Sequence, residues 1–343
     1  MRPGHAGPFV NLGETYRIQE NYDESEAALT KALELDANNS KAHRIRALTR
    51  LQLMKVDEAR ADFEQVIALD KDPLSQADAW QQIGKTWHRG GEPDMALEAY
   101  DQSIAANPKN SDTYRLKAEV LLSLNRDQDA VDAFTKFLEF GKPVGDVYRA
   151  RSLAYSKLGL FREAMNDYTR ALELEPSANM LVRRGWAYLM EANKLALADF
   201  DAAVSENPDN ADAWNGRGYA RVMMGDYPRA IADADEALTR AAKQIEAEGP
   251  SAWPHVYNAA TIYAQAVGKV LQDGRRTSED REKRASQLTI KAIQIIGQTL
   301  KAAGPGQQAA VIQTLQTDTA INPIRNRPEF RQAFAPKPPP NNN

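Results

Sequence analysis

Trp80-Gln81-Gln82-Ile83-Gly84-Lys85-Thr86-Trp87, a turn at Gly90-Gly91-Glu92-Pro93, Ala96-Leu97-Glu98-Ala99-Tyr100, then Ala105-Ala106-Asn107-Pro108: the order of this stretch recurs about every 34 residues, seven times. Each copy keeps a large residue, a small one, an aromatic, a turn, an Ala, an aromatic and often a Pro. A fixed period of this length marks stacked supersecondary units. The copies run approximately over 6–39, 40–73, 77–110, 111–144, 145–177, 178–210 and 211–244.

Each copy reads as two amphipathic helices, because apolar residues recur at i, i+3, i+4 and i+7 and so share one helical face. In the first, Phe9, Leu12 and Tyr16 mark one helix and Ala28, Leu29, Ala32 and Leu33 the next. Turns such as Glu20-Asn21-Tyr22-Asp23, Gly159-Leu160-Phe161 and Gly225-Asp226-Tyr227-Pro228 are short enough to force the helices antiparallel. Pro108, Pro176 and Pro208 stop the second helix, having no N–H and clashing with the turn before. Ala59, Ala96, Ala130, Ala164 and Ala230 share one place in the second helix, and Gly13, Gly84 and Gly218 one in the first. Small side chains let helix axes approach, while Phe63, Tyr100, Phe134, Tyr168 and Phe200 fill the flanking holes.

These residues resemble the tetratricopeptide repeat, a helix-turn-helix of about 34 residues. Trp80, Ile83, Gly84, Trp87, Ala96, Tyr100 and Pro108 match its pattern, as do Trp214, Gly218, Ala230 and Ala237. The resemblance covers about 240 of 343 residues, with departures: Ser25 replaces an Ala, the sixth copy is one residue short near Lys194, and three extra residues separate the second and third copies. It implies an all-α fold, a right-handed superhelical solenoid of about seven repeats plus a degenerate C-terminal one. After residue 244 the period fails. Ser251–Val270 and about Glu279–Ala303 read as a stretched eighth pair, joined by the polar connector Gln272–Ser278; an array end needs an atypical unit to cover its last apolar face. Thr319-Ala320-Ile321-Asn322-Pro323-Ile324-Arg325 through Phe330 resembles the closing segment of such arrays in bacterial multidomain proteins, some with a kinase or cyclase. The organisation expected is a disordered start at 1–5, seven repeats over 6–244, the elongated eighth unit and cap over 245–335, and a disordered Pro/Asn tail at 336–343.

Composition excludes several functions. The net charge of -4 advertises neither nucleic acid nor membrane. No run approaches the roughly 18 apolar residues of a bilayer span. Cysteine is absent, so disulfides and thiolate metal sites are excluded. With no apolar stretch after Met1 that reads as a secretory signal, the expected location is cytoplasmic. No catalytic constellation appears, so the chain is expected not to be an enzyme and to need no cofactor or metal. His5, His43, His88 and His255 are scattered, each a surface or half-buried residue, and no pair has zinc-ligand spacing. Gly216-Arg217-Gly218 lies inside a helix and reads as packing, not as a dinucleotide loop. Asp57, Glu58, Asp127, Asp129, Glu163, Asp233 and Asp235 read as lying on solvated faces or near helix starts, where carboxylates favour the positive end of the dipole. Arg275-Arg276-Thr277-Ser278 reads as a solvated connector rather than a kinase site.

The resemblance places a partner groove on the first helix of each repeat, at its second, fifth, ninth, twelfth and thirteenth residues. In the second to fifth repeats these include Lys41, Arg44, Lys85, His88, Arg89, Arg115, Arg149 and Lys157, against Asp78, Asp112, Glu119 and Asp146. In the sixth and seventh they are apolar: Val182, Trp186, Leu189, Met190, Tyr219, Val222 and Met223. The expected partner is a protein or peptide segment with acidic residues and a hydrophobic anchor, since aromatics anchor strongly and Met adapts to irregular shapes. For the apolar zone the sequence offers two occupants on equal terms, the chain's own 250–335 and the anchor of an external partner. The carboxylate grip of chaperone co-factors is not matched: Arg44 is followed by Leu48, then Gln82, then Asp112 and Leu116. Nor is the Asn-lined groove of glycosyltransferase arrays, where only Asn11 fits. The function expected is a non-catalytic interaction scaffold. The alternatives are the regulatory array of a bacterial multidomain signalling protein, supported by a first helix already under way at Phe9, and nucleic-acid binding through the basic positions, which log-linear salt weakening would reveal.

Overall fold

A computed structural model describes residues 5–189 and 192–334. Helices form where the apolar spacing places them, as consecutive antiparallel pairs: α1 (Ala6–Ile18) with α2 (Tyr22–Leu35), α3 (Ser40–Gln52) with α4 (Val56–Leu69), α5 (Pro73–Arg89) with α6 (Pro93–Ala106), and α7 (Ser111–Ser123) with α8 (Asp127–Phe140). Then come α9 (Gly145–Lys157), α10 (Phe161–Leu174), α11 (Ala178–Leu189) with α12 (Asn193–Glu206), and α13 (Ala211–Met223) with α14 (Tyr227–Glu248). The chain ends in α15 (Trp253–Leu271), α16 (Ser278–Ala302), α17 (Gly304–Thr317), α18 (Asn322–Arg325) and α19 (Pro328–Ala333), with 3-10 turns at Gly249–Ala252 and Thr319–Ile321. No strand occurs among the described residues. The expected disordered stretches at 1–5 and 336–343 lie, but for His5, outside them. The helices gather into two bodies, one ending at Gly159 and the other beginning at Leu160.

Turn chemistry repeats with the helices. Glu20, Met54, Gly91, Asn125, Gly159 and Gly225 hold one register and share a left-handed backbone, φ 55 to 87°. Reversal after two further residues requires that conformation, which costs an ordinary L residue about 1–2 kcal/mol and glycine little. Departures from the pattern have local reasons. Ser25 is buried and donates to the Gly13 carbonyl at 2.8 Å, with its hydroxyl 3.0 Å from that of Thr49. The extra residues before the third repeat do not form a linker. They add a turn to α5, capped by Asp72 at the Leu74 and Ser75 amides, while Gln76 donates to the Ile67 and Asp70 carbonyls.

The core is a run of small local clusters. In the first body, Val10, Leu29 and Leu33 lead one, Phe63 and Ile83 the next, and Tyr100, Leu121, Phe134 and Phe137 a third. In the second body Phe200 centres one cluster, and the largest joins α13–α16 to Ile321, Ile324 and Phe330. Burial of the large apolar side chains supplies most of the stability, about 1.5–3 kcal/mol each. Gly216 and Gly218 are both buried in α13 and serve packing, with no room for a phosphate.

Candidate partner-binding faces

In the first body the structure sorts the seven cations expected on the first helices. Four are held by the chain's own acids. Lys41 lies 2.9 Å from Glu14, Arg115 2.6 Å from Glu119, and Arg149 2.6 Å from Asp146. Lys157 reaches Asp127 at 3.3 Å and Asn125 at 3.2 Å. The side chains of the other three, Arg44, Lys85 and Arg89, make no hydrogen bond or ion pair among the described residues. Lys85 is only partly exposed, and burial pulls its ammonium below the usual lysine range, outweighing the attraction of Asp78 and Asp112. Arg44 lines a shallow hollow with Lys41, Asp70, Leu74 and Asp78. Gln81, at a groove position, is buried and donates instead to Thr113 at 2.9 Å.

A second set of charges stands where the repeat pattern expects a large apolar residue, and reading the sequence alone does not reveal it. Arg46 donates to both oxygens of Asp62 at 2.7 and 2.8 Å, sixteen residues on, and to Thr30 at 3.3 Å, sixteen back. Arg184 bridges likewise, donating to both oxygens of Asp199 fifteen residues on and to Thr169 fifteen back, and Arg217 donates to Asp233 Oδ1 sixteen on and to Asp201 sixteen back. Arg151 donates to Thr135 at 2.9 Å in the same register. The clasps of Arg46, Arg184 and Arg217 each tie a first helix to its own second helix and to the repeat before. Asp233, expected on a solvated face, is 2% exposed because Arg217 and Arg221 take its charge. Burial still pushes its carboxyl up. At Asp62 burial works the same way, but a further hydrogen bond, with His43 Nδ1 at 2.7 Å, helps tip the carboxyl below its ordinary range. His43 is thus a buried member of the clasp, its Nε2 3.0 Å from the Ala37 carbonyl, and not a surface residue.

The apolar zone of the second body is smaller than the sequence suggests. Val182 and Val222 are core residues, 3% and 0% exposed. Met190 lies outside the described residues. Trp186 and Tyr219 are partly buried with ring centroids 6.1 Å apart, and Met223 is exposed. Trp186 also stands edge-on to Phe200 at 5.4 Å, so it both packs the core and faces outward.

Part of the adjoining face is covered by the chain itself. Tyr257, Gln265 and Gly268 lie along one side of α15. Tyr257 donates its hydroxyl to Asp318 at 2.9 Å, Gln265 donates to the Ala320 carbonyl, and Pro323 packs at Gly268, 3.6 Å from where a Cβ would stand. Ile321 and Ile324 are fully buried beneath it, and Arg325 caps the Leu315 and Asp318 carbonyls at 2.8 and 2.9 Å. The polar connector 272–278 is likewise not merely solvated: Asp273 is buried, accepting from Tyr227 at 2.9 Å and from Arg275 at 2.8 Å.

Asp212, at the start of α13, gives a pH-dependent prediction. Burial pushes its carboxyl up, against the weaker attraction of His255 and the Trp186 hydrogen bond. Folding therefore favours its protonated form. The contribution is fully present below the unfolded carboxylate range and is lost as pH rises through the folded value, so at neutral pH the ionised group costs stability. Asp212→Asn is expected to raise the melting temperature at neutral pH, with the gain vanishing at acid pH; thermal melts across that range check it.

Stacked helix pairs of this period, with a large, a small and an aromatic residue at fixed places, define an all-helical repeat protein. Tetratricopeptide repeat models match residues 89–143 and 190–245, and 6–39 and 146–177, and the chain belongs to the tetratricopeptide repeat family. Such repeats are generally non-catalytic and mediate protein–protein interaction. The chain is similar to human Tetratricopeptide repeat protein 6, 26% identical over 67% of this chain and 46% of that one. It is also similar to Hsp70-Hsp90 organizing protein 1 of Glycine max, 22% identical over 70% of this chain and 41% of that one. It therefore spans less than half the length of these relatives. Among solved structures it resembles YrrB, a TPR protein with an unusual peptide-binding site, at 22% identity, covering 52% of this chain and 91% of that one with a TM-score of 0.48. No helix among the described residues is long and apolar enough to cross a membrane.

Proposed function

We propose that this chain is a non-catalytic scaffold that holds an acidic protein segment against the first helices of its first body. The observation that carries this reading is the trio Arg44, Lys85 and Arg89, whose side chains make no ion pair among the described residues in a body that pairs its other candidate cations. Burial of the Lys85 ammonium outweighs the pull of Asp78 and Asp112 and so costs stability, which a ligand carboxylate in direct contact recovers. The pairing of Lys41, Arg115, Arg149 and Lys157 speaks against a continuous phosphate track, and so against nucleic acid.

The test is direct binding of a peptide panel graded in carboxylate number. Acidic peptides are expected to bind, and more weakly as salt rises, since exposed charges are screened. Lys85→Gln combined with Arg89→Gln is expected to weaken them about tenfold, a loss of ~1.4 kcal/mol. Its thermal stability is expected to hold or rise, because no internal ion pair is broken and a partly buried charge is removed. Unchanged affinity in the double variant would sink the reading.

A further inference from the structure

The second body carries a carboxylate that lacks a cation. Asp212 is partly buried, and among the described residues its carboxylate receives a hydrogen bond from Trp186 Nε1 at 3.2 Å and no ion pair. His255 and Arg183 attract it from a distance without reaching ion-pair contact. One turn along α13, Asn215 is fully buried; it donates Nδ2 to the His255 carbonyl at 2.8 Å and leaves Oδ1 with no donor. One turn further, Tyr219 tilts its ring by 51° toward Trp186, and Asp318 adds negative charge beside it. Asp212, Asn215 and Tyr219 are spaced i, i+3, i+7 and so share one helix face.

Each feature wants the same kind of group. A partly buried carboxylate with spare lone pairs recovers its lost hydration only from a cation or strong donor. Aromatic ring faces carry negative quadrupoles and attract ammonium and guanidinium groups. Asp212 and Asp318 repel anions. We propose that the corner formed by Asp212, Trp186 and Tyr219 seats the cationic side chain, Lys or Arg, of a protein segment bound to the second body. This rests on the reading that the first-helix faces hold protein segments, and it reverses the charge expected of the segment there: acidic against the first body, basic against the second.

Three blocked peptides test it: acetyl-Ala-Leu-Lys-Leu-Ala-amide and its counterparts with norleucine or Glu in place of Lys. Binding is read by the indole N–H resonance of Trp186, identified by its absence in Trp186→Phe. The Lys peptide is expected to shift that resonance and to bind about tenfold tighter than the norleucine peptide, with the Glu peptide weakest. Asp212→Asn is expected to remove the preference and keep the norleucine affinity. Equal binding of the Lys and norleucine peptides, or a preference that survives Asp212→Asn, overturns the seat. Should none of the three bind while acidic peptides still bind the first body, the seat alone fails; loss of both fails the wider reading as well.

Discussion

Phe200→Ala is expected to lower the stability of the second body by roughly 3–5 kcal/mol, as truncations of buried aromatics do. The ring is fully buried and wedged between two glycines of neighbouring first helices. A Cβ added at Gly216 would stand 2.1 Å from the ring, and one at Gly185 2.9 Å. Three helices therefore close on one side chain, and none can collapse into the space without moving its own repeat. The same geometry predicts the reciprocal result. Gly216→Ala gains about 1 kcal/mol of helix propensity, yet is expected to destabilise, because Trp186 packed edge-on leaves the ring little room to retreat. Combining Gly216→Ala with Phe200→Ala is expected to cost less than the sum, since residues in contact couple. Denaturant melts of the three variants measure this, and hydrogen exchange is expected to place the opening in the sixth and seventh repeats, because repeat arrays fail locally. A Gly216→Ala protein as stable as its parent would show that the helices are not this close.

Asp62→Ala is the second large effect, with an expected loss of about 3–5 kcal/mol, because it strands the largely buried Arg46 charge and leaves His43 Nδ1 without its partner, while Arg50 keeps Glu26. The carboxylate side chain is 3% exposed and serves Arg46, Arg50 and His43 together. Burial by itself would raise its carboxyl, but the bonds from His43 and Arg46 outweigh burial and hold it below the ordinary carboxylate range. The clasp therefore stabilises fully above that range and is lost as pH falls through the depressed value. Acid melts are expected to show the wild type losing stability that Asp62→Ala has already lost, so the two curves converge at low pH. Curves that stay parallel would mean the clasp carries little.

The fold is legible in the sequence because 34-residue periodicity encodes neighbour packing, and Ala59, Ala96, Gly84 and Tyr100 mark where helices touch. The clasps are not, because an Arg at an apolar place looks like a solvated face when viewed alone. Their signal is the spacing of Arg46 to Asp62 and Arg217 to Asp233, sixteen residues each time. Periodicity likewise names the cations of the first body but cannot say which are already taken: Arg115 and Glu119 are one helical turn apart, whereas Lys41 finds Glu14 only once two repeats stack. Trp186 reads as a surface anchor in the sequence, and its contact with Phe200 makes Trp186→Ala a packing variant rather than a clean binding probe. That the segment at Asp318 lies along α15 depends on a three-dimensional return that no local pattern records.

Because the clasps of Arg46, Arg184 and Arg217 reach backward to the preceding second helix as well as forward to their own, these repeats are not self-contained cassettes. A chimera cut between Thr30 and Arg46, or between Asp201 and Arg217, would orphan one member on either side of the splice. Shuffling these modules therefore demands matched seams, and the electrostatic grammar of the array restricts which neighbours any given copy tolerates.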